Sequence, residues 1–218
     1  MKDFSKVLPS LEQLKSHLLQ VAVYGESKQR CVIILESDPS GLLDSLDELR
    51  NYCHKNRLAF PLLINRQFVS GSLDSYPLEF LDIVGGDYQN LFATEDLLQS
   101  LVFSKADLRL QMEREVKGKW LLTRLSVLEQ SPKPKALAET LQLSIRSILP
   151  VLKGICYYAD RPIPQGISLL IEQAGEESKI DLGLLNRWLK LDKADRLTIQ
   201  SYLDILQSLM AYIENLGQ

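Results

Sequence analysis

Val21-Ala22-Val23-Tyr24-Gly25-Glu26-Ser27, followed after three residues by Cys31-Val32-Ile33-Ile34-Leu35-Glu36, is the stretch on which the fold turns. Both apolar runs are short and nearly continuous, and the second is rich in β-branched residues, the pattern of buried strands. Upstream, Ser10 and Gln13 stand at capping-box spacing and Leu11, Leu14, Leu18 and Val21 recur at helical spacing, which predicts a helix near 10–20. Downstream, Ser37-Asp38-Pro39-Ser40-Gly41 predicts a turn, and Leu42, Leu46, Leu49 and Cys53 mark one face of a helix reaching about residue 56. Residues 59–64 and 78–84 read as further strands, the second entering a hairpin at Gly85-Gly86-Asp87 that returns through 88–93. Residues 1–104 are therefore expected to form one domain mixing helices with about five strands.

Past Ser104 the strand signals stop and residues 105–218 read as a second, all-helical domain. Leu108, Met112, Val116 and Trp120, joined by Leu121 and Leu125, predict a long helix with one buried stripe. Ser131-Pro132-Lys133-Pro134 ends it, and a second long helix follows through Leu137, Leu141, Ile145, Ile148, Leu152 and Ile155, with Pro150 inside it. Shorter helices are expected over 165–174 and 182–190, and a last one from about 193. Amphipathic helices joined by short turns bury their stripes against one another, so this half is expected to be a bundle. The last helix carries Leu197, Tyr202, Leu209 and Tyr212 off its main face, which predicts a surface for a homodimer or a protein partner.

Composition narrows the class without naming a function. The 218 residues carry 25 basic and 28 acidic side chains, a formal net charge of -3, which is not the footprint of a general nucleic-acid binder. Arg114, Lys117, Lys119 and Arg124 are interleaved with Glu113 and Glu115, so they read as a mixed solvated face and no nucleic-acid groove is expected. Cys31, Cys53 and Cys156, with two histidines, fit neither a zinc pattern nor a disulfide framework and suit a reducing cytoplasm. No apolar run reaches the roughly 18 residues of a membrane span, and no membrane association is expected.

The order strand, Gly25-Glu26-Ser27 turn, strand resembles the opening of the DNA polymerase beta-like nucleotidyltransferase superfamily. The segment Phe68-Val69-Ser70-Gly71-Ser72-Leu73-Asp74-Ser75-Tyr76-Pro77-Leu78-Glu79-Phe80-Leu81-Asp82-Ile83 and the later Leu108-Arg109-Leu110-Gln111-Met112-Glu113 resemble an uncharacterised bacterial nucleotidyltransferase-like branch. The resemblance implies an α+β fold, a nucleotidyltransferase-like mixed sheet with helices followed by an all-α helical bundle. It also implies a glycine-serine turn cradling a triphosphate and two aspartates, one residue apart, holding two magnesium ions.

This sequence departs from that pattern where the aspartates belong. Lys28-Gln29-Arg30-Cys31-Val32 holds no acid, and Glu26 brings a negative charge to the turn where phosphates would lie. Divalent cations in such chemistry are held by carboxylates, which bridge the ions and balance their charge. The active site is therefore expected to be degenerate, with no metal site and no cofactor, and the chain to act as a non-catalytic binding, regulatory or interaction module. Gly25, Ser27, Lys28 and Arg30 are the candidates for a retained nucleotide or anion pocket. The alternative is an active, magnesium-dependent transferase moving a nucleoside monophosphate to a protein, RNA or small-molecule acceptor, with Glu36, Asp38 and Asp82 as its carboxylates.

Overall fold

The computed structural model describes residues 3–25, 28–129 and 133–217. The chain is α+β and divides into two compact units: residues up to Tyr76 together with Asp82–Phe103, and Pro77–Leu81 together with the chain from Ser104 onward. The short segment 77–81, read from sequence as part of the first domain, thus clusters with the helices.

The first unit is built on a four-stranded mixed sheet. β1 (Leu18–Tyr24) pairs antiparallel with β2 (Arg30–Leu35) and with β4 (Gln89–Ala93), while β3 (Leu62–Asn65), which leads into the short helix α2 (Arg66–Gly71), lies parallel to β2, in the order β3-β2-β1-β4. The register sets Val21 opposite Ile33, Val23 opposite Cys31 and Tyr24 opposite Arg30. Because side chains alternate along a strand, Val21, Val23, Cys31, Ile33 and Leu35 share one core with Leu49 and Cys53 of α1 (Asp47–Asn56) and with Phe4, Val7, Leu11 and Leu14. Ala22, Val32 and Ile34 are fully buried as well, which is why these strands read as continuous apolar runs.

Four readings of residues 1–104 are corrected. The expected helix over 10–20 is a 3-10 helix, Leu8–His17, and β1 already begins at Leu18, which stands opposite Leu35 of β2. Its expected capping box does not form, since Ser10 Oγ donates back to the Val7 carbonyl at 2.6 Å. The expected strand over 78–84 is a helix, α3 (Pro77–Val84), and Gly85-Gly86-Asp87 is not a hairpin turn. A short apolar run has no periodicity that separates a strand from a helix buried on all sides, and Leu78, Phe80, Leu81 and Ile83 are all buried. Proline also suits the first turn of a helix, where its missing N–H goes unneeded.

In the second unit α4 (Lys105–Glu129) packs on α5 (Pro134–Tyr158) and α8 (Arg196–Glu214), while α5 also touches α6 (Ile167–Ser178) and α7 (Gly183–Trp188). α5 is the core helix, with Leu141, Ile145, Ile148, Leu152 and Ile155 at 0% exposure, and it runs on through Pro150. Gly154 lets α4 approach: a Cβ there would lie 2.6 Å from Met112 Sδ. Thr123, Ser144 and Tyr202 tie α4, α5 and α8 through buried hydroxyls at 2.7 and 2.9 Å.

Two helix-face expectations are corrected here. On α8, Tyr202 and Leu209 are fully buried and Tyr212 is half-buried, leaving only Leu197 of the four exposed, so the bundle itself covers this face. On α4 the expected stripe holds for Leu108, Met112 and Val116, but Trp120 is half-buried under the Arg124 guanidinium, and Leu121 and Leu125 are exposed.

Candidate functional site

The end of the sheet where β1 leaves and β2 enters collects most of the sequence-derived site residues. Gly25 follows β1 with φ +76, a left-handed conformation that costs glycine nothing sterically. Arg30, the first residue of β2, folds back over it, and a Cβ on Gly25 would lie 2.9 Å from Arg30 Nε. The same guanidinium sits 4.6 Å from the centroid of the Tyr24 ring and donates from Nη1 to Asp82 Oδ2 on α3. The Asp82 side chain is 11% exposed and that of Arg30 47%, so the carboxylate is shielded while its cation reaches solvent. Burial pushes the Tyr24 phenol above its ordinary value, partly offset by the Arg30 charge.

Lys28, in a left-handed turn conformation, closes the turn by donating its backbone N–H to the Gly25 carbonyl at 3.0 Å, and its ammonium donates to Gln89 Oε1 on β4. Gly86 lies close by, a Cβ there falling 3.6 Å from Gly25 N and 3.3 Å from the Asp82 carbonyl. Gly25, Lys28, Arg30 and Asp82 are thus gathered at one end of the sheet. Ser27 and Glu26 lie outside the described residues.

Glu36 and Asp38 are not gathered with them. They follow the far end of β2, and six residues at about 3.3 Å each separate the Arg30 backbone from that of Glu36 by about 20 Å. There Glu36 receives Arg66 Nε and Nη2 at 3.0 Å, and Arg66 also reaches Glu95 at 2.6 Å. Asp38 accepts from Asn65 Nδ2 at 3.0 Å. Both glutamates hold Arg66 firmly protonated, and the Arg66 hydrogen bonds hold Glu95 below the usual carboxylate range. Among the described residues, no group of three or more His, Cys, Asp or Glu side chains could hold a metal ion.

Several residues that matter here were missed from sequence. Tyr24 was read only as a strand residue, although an aromatic beside an arginine on the neighbouring strand end is a natural cation–π pair. Gln20 is fully buried in the middle of β1, donating to Asn90 at 2.8 Å and to Asp96 at 2.7 Å and accepting from Leu97 N at 3.0 Å. An amide inside an apolar strand needs such partners, and that was the available signal. Gln111, inside the Leu108 to Glu113 motif, accepts from Leu78 N at 2.7 Å and donates to Glu79 at 2.6 Å. The two sequence segments that carry the family resemblance therefore touch, and they do so by satisfying the first turn of α3.

The cysteines are buried, and burial pushes Cys31 up to about 12 and Cys156 up to about 11, values of core thiols and not of nucleophiles. No helix among the described residues is long and apolar enough to cross a membrane.

No family model matches the chain, and no curated protein matches it. Among solved structures it is similar to a nucleotidyltransferase-like protein from Exiguobacterium sibiricum 255-15, at 11% identity and a TM-score of 0.36, covering 97% of this chain and 74% of that one.

Proposed function

We propose that this chain is a nucleotidyltransferase-like protein that acts as a binding, regulatory or interaction module and does not transfer nucleotides. The observation that carries the reading is the Arg30–Asp82 ion pair over Gly25. A metal-dependent transferase needs carboxylates that bridge divalent cations. Here the carboxylate beside the turn is already balanced by a guanidinium, which would also repel an incoming cation. Glu36 and Asp38 stand a strand length away and are engaged by Arg66 and Asn65.

The chemistry left at this end of the sheet is that of an anion pocket: a glycine turn without a side chain, and Lys28 and Arg30 as cations. A phosphate approaching Gly25 would compete with Asp82 for Arg30, so binding and ion-pair opening would be coupled. The test is incubation with labelled nucleoside triphosphates and magnesium or manganese, with melting followed in parallel. No labelled product is expected, and melting should not respond to the metal alone. A nucleotide at a hundred times its dissociation constant would add about 2.7 kcal/mol, readily seen as a melting shift. Metal-dependent transfer lost in Asp82→Asn would overturn the reading.

A further inference from the structure

The helical unit gathers unpaired positive charge toward one end. Lys133 precedes α5 and Lys135 and Arg146 lie on it, while Arg187, Lys190, Lys193 and Arg196 follow one another from the end of α7 to the first residue of α8. Two bonds hold these stretches together: Ala194 N donates to the Pro134 carbonyl at 2.9 Å, and Gln142 Nε2 donates to the Leu191 carbonyl at 2.6 Å. Lys135, Gln142 and Arg146 are seven and four residues apart and share one side of the helix, so the cations of α5 border that loop. All seven are exposed, and among the described residues none of their side chains has an ion pair, hydrogen bond or ring contact. The basic residues of α4 differ, since Arg109, Lys117 and Lys119 each pair with an acid of their own helix. Of the nearby carboxylates, Asp195 caps α8 by accepting from Thr198 N and Oγ1 at 2.8 and 2.6 Å. Glu139 and Asp192 are exposed, and with Glu129 at the end of α4 counted as well, seven cations still stand against four acids.

The helix starts sharpen the contrast. α5 has a lysine at its N-cap, no side-chain cap and no acid in its first turn, and α8 opens on Arg196, again with no acid in its first turn. Cations at these positions oppose the positive end of a helix dipole, where acids are the stabilising choice. Local stability therefore does not account for them.

We propose that this end of the bundle is a contact surface for the sugar–phosphate backbone of a nucleic-acid duplex, bound without regard to sequence. The proposal concerns the helical unit alone and does not rest on the reading of the sheet end. Lysine, arginine and helix N-termini are the groups that contact nucleic-acid phosphates. From Lys135 to Arg146 the helix covers about 17 Å, and a duplex carries one charge per ~1.7 Å of its axis, so several phosphates come within reach together. The overall charge of -3 is no bar, because at ordinary salt charges are screened beyond about 10 Å and a duplex meets the local excess. A protein partner is less well matched, since such interfaces are anchored by aromatic and apolar side chains. Here Leu143 and Leu197 are the exposed large hydrophobics, and Trp188 is buried. The lack of an exposed ring also disfavours single strands, whose bases stack on aromatic side chains.

The experiment is fluorescence anisotropy with short labelled duplexes of DNA and of RNA over a salt series, with circular dichroism and melting as fold controls. Micromolar binding is expected at low salt, its logarithm falling against that of salt with a slope of about 4, as for four or five neutralised phosphates. Either duplex supports the proposal, and the tighter one names the source of the phosphates. Lys190→Ala with Lys193→Ala should weaken binding about tenfold and lower the slope by about two. Lys6→Ala with Lys55→Ala removes the same charge from exposed lysines of the first unit and should leave binding unchanged. Lys133→Asp supplies the cap that α5 lacks, so it should raise the melting temperature while weakening binding. No duplex binding at low salt, equal losses in the two lysine pairs, or unchanged binding by Lys133→Asp would overturn the proposal. So would tighter binding to a single strand, to phosphatidylserine vesicles or to polyglutamate than to either duplex.

Discussion

β2 meets an arginine and a carboxylate at each of its ends, and the two arrangements differ in everything but composition. At the Gly25 end the carboxylate is almost covered, the guanidinium lies against an aromatic ring, and the pair sits where the chain must use a positive φ. At the Glu36 end Arg66 is shared by two exposed glutamates in open solvent. Removing one partner of a shielded pair costs more, because little water reaches the charge that remains, whereas an exposed pair is largely replaced by hydration. The first arrangement therefore sets the local structure, and the second decorates a surface.

The largest expected effect follows from that contrast. Arg30→Ala should cost about 2 kcal/mol in denaturant unfolding, since it leaves Asp82 shielded and without its guanidinium. Arg30→Met combined with Asp82→Leu should recover most of that loss. If Arg30→Ala left stability unchanged, the two ends would be equivalent and the distinction would fall.

A second prediction uses pH to sharpen the comparison beneath the exposed end. There Asp96 receives Asn90, Gln20, Tyr88 and the Gln99 N–H. Burial alone would raise its pKa, but these donors outweigh it and hold the carboxyl below the ordinary 3.8. A carboxyl depressed in the folded state contributes stability that is complete above the unfolded value and is lost as pH falls through the folded one. Asp96→Asn should therefore lower the melting temperature near neutral pH, with the gap to wild type narrowing below about pH 4. A gap that widened with acid would reverse the sign and remove the network from the argument.

The smallest effect is expected for Arg66→Ala. At low ionic strength its melting temperature should drop slightly, and in high salt it should coincide with wild type, because exposed charges are screened. A loss as large as that of Arg30→Ala, persisting in salt, would mean that exposure does not decide the worth of these pairs.

Much of the fold was legible because its elements carry unambiguous periods. Val21–Tyr24 and Cys31–Leu35 stand as apolar runs too short for helices, and α5 and α8 repeat their apolar residues at helical spacing over about four to five turns. Leu78–Val84 was misread because a short run with Leu78, Phe80, Leu81, Asp82 and Ile83 all buried shows no clear period, so only its surroundings choose between helix and strand. Gly25, Lys28 and Arg30 could be picked out of the sequence one by one, but that they gather with Asp82 at one end of the sheet could not. Nothing in the spacing of Glu36, Asp38 and Asp82 tells that β2 holds two of them a strand length from the third.

The sequence by itself determined the local choices: which segments form strands or helices where periodicity is long, where the chain changes from mixed to all-helical, and that the stretch before Val32 lacks the acids of a metal centre. Those are properties of neighbours in the chain. Tertiary structure alone decided which apolar faces find cover. α8 and α4 both carry apolar residues on two sides, yet Tyr202 and Leu209 are enclosed while Leu121 and Leu125 face solvent. It also decided that Arg30 closes on Asp82, fifty-two residues away. Burial and ion pairing are set by what comes close in space, and local sequence carries no record of that distance.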